Sequence, residues 1–335
     1  MPPAMLVSAT YDGISKVVVL KFYEPESQKL ILWKDQTGHK PYCYSRLAPD
    51  ELDFLQDRDD ILEIKSVKRY DLIKDKEIDM SKITAVDPLA IGGTAGDKSI
   101  RNIIETWESD IKYYENYLYD RRLIVGKYYE IIKGEITPHD LEISDEVKIA
   151  LKSLLWDKVD SESMVDSEQF KEYISEWAEL LNQPIPKIKR LSVDIEVEVE
   201  IGRIPDPKLA EKKITAIGFK GSDGFDQIFV LKTEGTEQGN NELDSKIKVT
   251  FYDLDKEKEM IQDAFEIIKS FPFVVTYNGD EFDLPYLYNR AERLGIKNSE
   301  NPFYMMRDSA TLRHGVHIDL YRTLSNRSFQ IYAFS

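Results

Sequence analysis

Asp194 and Glu196 stand two residues apart in RLSVDIEVEVE, a stretch whose alternation reads as a β-strand. A side-chain period of two sends both carboxylates to one face and Val193, Ile195 and Val197 to the other. Like charges at that range repel, and burial adds a desolvation cost; a divalent cation would remove both penalties. The competing reading is a strand with one wet face, because Glu198 and Glu200 continue the alternation. A second acidic element follows in VVTYNGDEFDLPYL: an apolar strand, a turn at Asn278-Gly279, and a helix with Asp283 at its mouth. Here the competing reading is helix capping, since Asp caps helices and Asp280, Glu281 and Asp283 favour the positive helix end. Capping accounts for one acid and leaves Tyr277, Asn278 and Phe282 beside it unexplained.

The elements around these residues follow from pattern. Upstream of residue 185, LVSATY, KVVVLKFY and KLILWKD read as strands with turns at YDGIS and EPESQ. A mixed segment runs from Leu47 to about Asp79, and ITAVDPLAIGG ends in a Gly-rich break at Gly92, Gly93 and Gly96. In RNIIETWESDIKYYENYLYDRRL the spacing of Ile104, Trp107, Ile111, Tyr114 and Leu118 predicts one helical face. The stretch from about Ile136 to Asn182 is acidic and helix-prone, and the prolines of LNQPIPKIKR mark a boundary near Pro184–Pro186. After it come three strands (RLSVDIEVEVE, KKITAIGFKG and FDQIFVLK, the last two joined by GSDG), the helix EKEMIQDAFEIIKSF, the strand FVVTYNG, the helix LPYLYNRAERLGI ending at Gly295, and HIDLYRTL. That order predicts an α/β domain.

The chain has 335 residues, room for two or three domains, with 42% hydrophobic and 32% charged residues. No apolar run reaches membrane-spanning length, so no membrane partner is expected, and MPPAMLVSAT lacks the marks of a signal peptide. The single cysteine, Cys43, excludes an internal disulfide and a Cys-based zinc site and fits a reducing, cytoplasmic setting. A net charge of −16 argues against gripping DNA mainly by phosphate neutralisation, but does not exclude a nuclease, which needs clustered carboxylates to hold divalent cations.

LSVDIE resembles the first exonuclease motif of family B DNA polymerases, Asp-Ile-Glu, and TYNGDEFDLPYL is similar to the second, Asn-Gly-x-x-Phe-Asp. YNRAERLGI and HIDLYRTLSNRSFQIYAFS resemble the same family in the same order, and TWESDIKYYENYLYDRRLIVG looks like the stretch before the exonuclease domain in archaeal members. The resemblance implies a ribonuclease-H-like (DnaQ-like) α/β exonuclease domain at 186–325, behind a mixed, β-rich α+β N-terminal domain with a helical linker at 1–185. Residues 326–335 would begin the return toward that domain. It further implies 3′→5′ proofreading hydrolysis of single-stranded DNA ends with two Mg²⁺ or Mn²⁺ ions. Asp194 would bridge the ions, Glu196 hold the water-activating one and Asp283 the other; Asn278 would contact the terminal nucleotide and Phe282 pack on the frayed base. Tyr277 either lines the same cleft or is a core aromatic.

The family's third motif, Tyr-x-x-x-Asp, would fall beyond Ser335, and neither Asp-x-x-Ser-Leu-Tyr-Pro nor Tyr-Gly-Asp-Thr-Asp of the polymerase palm occurs. Tyr304 to Asp308 fits the bare third pattern but sits where the family has a loop or hairpin, and Asp319 is read as a backbone-bonding acid rather than a ligand. The expectation is a fragment of a longer polymerase, a weak nuclease at most, whose partners are DNA, the remaining polymerase domains and a sliding clamp. In the N-terminal domain, Tyr11, Pro41, Pro88, Ile91 and Tyr113 match the archaeal pocket that captures template uracil; the competing reading is ordinary core and turn residues. Other readings of the whole are a non-catalytic module binding single-stranded DNA or template, a stand-alone exonuclease, and an acidic interaction protein. The missing third acid separates the first of these from an enzyme.

Overall fold

The computed structural model describes residues 2–93, 98–139, 144–151, 153, 185–199, 202, 204–232, 247–305 and 310–325. Most of the helix-prone stretch before residue 185, Gly96, Asp308 and the segment 326–335 lie outside them. Two compact units are present, one of Met1–Phe22 and Ile31–Pro184, the other of Tyr23–Leu30 and Ile185–Ser335.

In the first unit, β1 (Ala4–Asp12), β2 (Val17–Glu24), β3 (Lys29–Lys34), β7 (Tyr128–Ile132) and β8 (Glu135–Pro138) form a sheet ordered β3-β2-β1-β7-β8. A second sheet, ordered β4-β6-β5, holds β4 (Tyr42–Ser45), β5 (Ile61–Asp71) and β6 (Lys76–Ala85). The mixed segment of the sequence is thus largely a long hairpin. Under one face of this sheet lies a core of Cys43, Leu52, Leu55, Ile83, Ala85 and Ile91. Burial pushes the Cys43 thiol up to about 12.

The single amphipathic face expected from Ile104 to Leu118 is not one helix. Short helices α1 (Ile100–Ile103) and α2 (Tyr113–Asp120) flank an extended break in which Trp107 forms an antiparallel bridge with Tyr44 and Glu108 takes a φ of 62°. Two backbone hydrogen bonds to a neighbouring strand override helical spacing, and the buried face of α2 is Tyr113, Asn116 and Tyr117.

In the second unit the expected strand–helix order is present. A six-stranded sheet, ordered β12-β11-β10-β9-β13-β16, contains β9 (Arg190–Val197), β10 (Ile214–Gly221), β11 (Asp226–Leu231), β12 (Lys248–Tyr252), β13 (Phe273–Thr276) and β16 (Val316–Asp319). Strand β10 runs antiparallel to both β9 and β11; β13 runs parallel to both β9 and β16. Helices α3 (Glu257–Lys269) and α4 (Asp283–Arg293) supply Met260, Ile261, Ala264, Phe265, Leu284 and Leu287 to the core that Leu191, Val193 and Ile195 enter from β9. This is the α/β fold the resemblance implied. The strands β14 (Phe303–Met305) and β15 (Ala310–Leu312) pair as a hairpin, so Tyr304 sits in a strand of it.

An ion pair ties this layer together. Arg290 donates from Nε and Nη2 to both oxygens of Glu257, at 2.8 and 2.6 Å, and from Nη1 to the carbonyls of Ala210 and Glu211. Glu257 also accepts the Ile214 N–H at 2.9 Å. Both side chains are buried, and the fork-to-carboxylate geometry satisfies the charges that burial strands.

Candidate active site

Along β9 burial alternates strictly: Leu191, Val193 and Ile195 enter the core, while Ser192, Asp194 and Glu196 are exposed on the opposite face. Both carboxylates therefore share a face, as the period of two requires. Their neighbours on β10 are small, with Gly218 opposite Asp194 and Ala216 opposite Glu196, so little rises beside the acids. A register shift between Ile214 and Ala216 falls at the same level.

The second element arrives from β13. Its pairing with β9 ends at Val275 opposite Ser192, after which the chain turns through Asn278 and Gly279 into α4. Asn278 takes a φ of 61°, a region Asn tolerates better than most residues. Gly279 lies so close to Thr276 that any β-carbon would collide with the threonine hydroxyl, and the Gly279 carbonyl accepts the Leu284 N–H.

Asp283 is the first residue of α4, and the capping position belongs to Phe282, with no side-chain cap bond. The carboxylate instead reaches another strand: its Oδ1 accepts the Ile195 N–H at 3.2 Å, between Asp194 and Glu196 in the chain. It is 6% exposed. Burial, and next the charge of Asp194, push its carboxyl up to about 6; Asp319 adds to the effect, while the Ile195 N–H opposes it. The capping reading thus gives way to a carboxylate held against β9 under like-charge pressure.

Beside Asp194 lies a cleft of about 420 Å³ lined by Ser192, Asp194, Gly218, Val275, Tyr277 and Leu320, with Lys220 and Asp226 also on its wall. Tyr277 is 53% exposed and meets Tyr321 edge to face at 5.7 Å, so it lines the cleft rather than the core. Phe282 is half-buried, its ring 5.5 Å from Tyr286. The Asn278 Oδ1 is buried with no hydrogen-bond partner among the described residues. Asp319 accepts the N–H groups of Asn278, Asp280, Tyr321 and Arg322, which occupies it with backbone as the sequence suggested.

Among the described residues, no three His, Cys, Asp or Glu side chains are gathered into a ready cation cage. The fit to a cation rests on the donors themselves: Asp194 and Glu196, hard oxygen ligands on one face of β9, and the buried Asp283 carboxyl, near enough to Asp194 to feel its charge. Sequence reasoning gave Asp280 only a helix-end role and missed His317; both side chains are buried beside the turn. The polar residues of HIDLY alternate with apolar ones, which was the available signal.

In the first unit, the Tyr11 hydroxyl donates to Asp87 at 3.2 Å and its ring meets Tyr113 edge to face at 5.6 Å. Tyr113 donates to the His39 carbonyl, two residues before Pro41, whose own carbonyl accepts the Ala85 N–H. Pro88 opens a short turn of helix capped by Asp87. Tyr11, Tyr113 and the start of that turn are thus brought together, whereas Ile91 packs into the core with Cys43. A β-carbon on Gly92 or Gly93 would clash with the carbonyls of Ser109 or Leu89, so close backbone approach requires the glycines.

Residues 104–331 match the family described as DNA polymerase family B, exonuclease domain. The chain belongs to that family. DNA polymerase 1 of Sulfolobus acidocaldarius is 35% identical over 98% of this chain, which covers 36% of that protein. DNA polymerase 1 of Aeropyrum pernix is 34% identical over 98% of the chain, which covers 34% of that protein. This family B chain therefore spans about a third of the length of these curated relatives. The structure of the family B DNA polymerase from the hyperthermophilic archaeon Pyrobaculum calidifontis superposes over 97% of the chain and 37% of its own, with a TM-score of 0.61 and 16% identity, a likeness of fold. Among the described residues, no helix is long and apolar enough to cross a membrane.

Proposed function

We propose that this family B chain provides 3′→5′ exonucleolytic hydrolysis of single-stranded DNA ends, in a reducing cytoplasmic setting. The observation that carries this is the buried Asp283 carboxylate bonded across to the Ile195 N–H, between the exposed Asp194 and Glu196. These three acids would hold two Mg²⁺ or Mn²⁺ ions. When bound, such ions lower the pKa of an attacking water and stabilise the departing 3′ oxygen. The residues of the chain do the positioning. Tyr277 and Phe282 offer aromatic faces on which any base can stack, which suits removal of whichever nucleotide was misinserted. Asn278, whose buried Oδ1 has no partner among the described residues, would contact the terminal nucleotide.

Residues 1–185 would then be an N-terminal template-sensing domain and 186–325 the exonuclease domain. The contacts joining Tyr11, Asp87 and Tyr113 support a base-binding slot for template uracil there. DNA synthesis itself, through further polymerase domains and a sliding clamp, is proposed for the whole protein on the strength of its polymerase relatives.

A second reading is favoured by the lack of a three-acid cage among the described residues: a module that binds single-stranded DNA without cutting it. One assay separates the two. With a labelled single-stranded oligonucleotide and Mg²⁺ or Mn²⁺, slow shortening from the 3′ end that Asp194→Ala abolishes is the expected outcome. Binding without shortening would favour the module. Rapid degradation untouched by Asp194→Ala would sink the assignment of roles.

A further inference from the structure

Beside the turn that carries Asn278 and Phe282 lies a buried polar chain that the proposed reaction does not use. His317 on β16 faces the Thr276 hydroxyl with Nε2 at 2.8 Å and the Asp280 carboxylate with Nδ1 at 3.3 Å. Asp280 also accepts the Ala310 N–H at 3.1 Å and pairs with Arg322 Nε at 3.2 Å. Its own N–H, with that of Asn278, is held by Asp319. The side chains of His317 and Asp280 are 5% and 7% exposed. Burial works to raise the Asp280 carboxyl; His317, the Ala310 N–H and the charge of Arg322 outweigh it and keep the group below the usual carboxylate range.

The order Thr276, His317, Asp280 is one in which a hydroxyl nucleophile could be activated. The structure argues against that use. Thr276 is buried at the end of β13, and Gly279 packs directly against its hydroxyl, so no substrate atom can approach it. What the chain does touch is the turn: Thr276 precedes it, Asp280 is inside it, and Ala310 and His317 belong to the strands beside it. Parallel pairing of β13 with β16 sets His317 opposite Val274, so a rigid sheet carries the ring. A turn held from the sheet in this way presents Asn278 and Phe282 in one conformation, which loop residues do not otherwise keep.

We propose that His317 is a positioning residue that, through Asp280, clamps the Asn278–Phe282 turn and so fixes how a 3′-terminal nucleotide is seated; this rests on the exonuclease reading of the site. The clamp is tested in the full chain with His317→Ala, His317→Gln and Asp280→Asn. Two readouts are followed: amide hydrogen exchange at Asn278 and Asp280, and kcat and KM for shortening a single-stranded oligonucleotide. Losing one buried charged hydrogen bond corresponds to a change of about tenfold or more. The expected result is exchange at both amides faster by about tenfold, kcat lower by about tenfold with KM little changed, partial recovery in His317→Gln, and a double variant no worse than either single one. Folded variants with unchanged exchange at these amides, or effects that multiply in the double variant, would overturn the clamp. If His317→Ala does not fold, Asp280→Asn, which keeps the volume, carries the same test. If the wild-type chain does not shorten DNA, the exonuclease reading fails, and the exchange rates alone decide the clamp.

Discussion

Asp283 carries a measurable signature of the site in its titration. An unfolded Asp loses its proton near pH 4, whereas in the folded chain the group holds on to about pH 6. Between those values the folded state binds more protons than the unfolded one, so stability falls as pH rises from about 4 to 6 and stays reduced above that. Asp283→Asn keeps an acceptor for the Ile195 N–H and removes the charge. In chelator at pH 7.5 the variant should be more stable than wild type by roughly 1–3 kcal/mol, and at pH 4 the difference should vanish. Thermal melts at the two pH values check this, and equal melting temperatures at pH 7.5 would contradict it. Adding Mn²⁺ should then raise the wild-type melting temperature and leave that of the variant nearly unchanged. The acids themselves were legible in the sequence, because alternation alone fixes which side of β9 carries Asp194 and Glu196. The choice between a helix cap and a cross-strand contact for Asp283 was not legible. It depends on an N–H 88 residues away, left free where β13 stops pairing.

Among the elements, α3 and α4 share an apolar core and are also joined by the Glu257–Arg290 fork, which holds the chain entering β10 through Ile214, Ala210 and Glu211. Removing one partner leaves the other charge buried and uncompensated. Glu257→Ala should therefore cost about 3–5 kcal/mol. Replacing the pair by Met and Leu should cost far less, because well-packed apolar groups can replace a buried pair with little loss. Urea melts of the three proteins check it; a single variant no less stable than the double one would refute it. Element type was readable wherever one side chain in two, or one face in 3.6, was apolar, as in β9 and α3. It failed between Ile104 and Leu118, where the Trp107–Tyr44 bridge, invisible to local spacing, breaks the helix in two.

At the scale of the whole molecule, a net charge of −16 shapes how DNA can be held. A chain this acidic gains little from displacing counterions, so its affinity for single-stranded DNA should depend on divalent cations and vary weakly with monovalent salt. A log–log slope of magnitude about 2 or less is expected, against far steeper slopes for proteins that grip many phosphates. Fluorescence anisotropy with added chelator measures both, and tight binding in chelator with a steep slope would refute it. The order of elements after residue 185 made the α/β layout readable from sequence, while the N-terminal sheets, built from pairings as distant as Met5 with Tyr128, did not announce their partners. The lone Cys43, sunk beneath the β4-β6-β5 sheet with its thiol kept protonated, has a practical use. A cysteine introduced at the exposed Tyr277 would be the only reactive sulfur in the native chain, so a maleimide dye could be attached beside the cleft and report on an arriving strand with the rest of the protein left as nature wrote it.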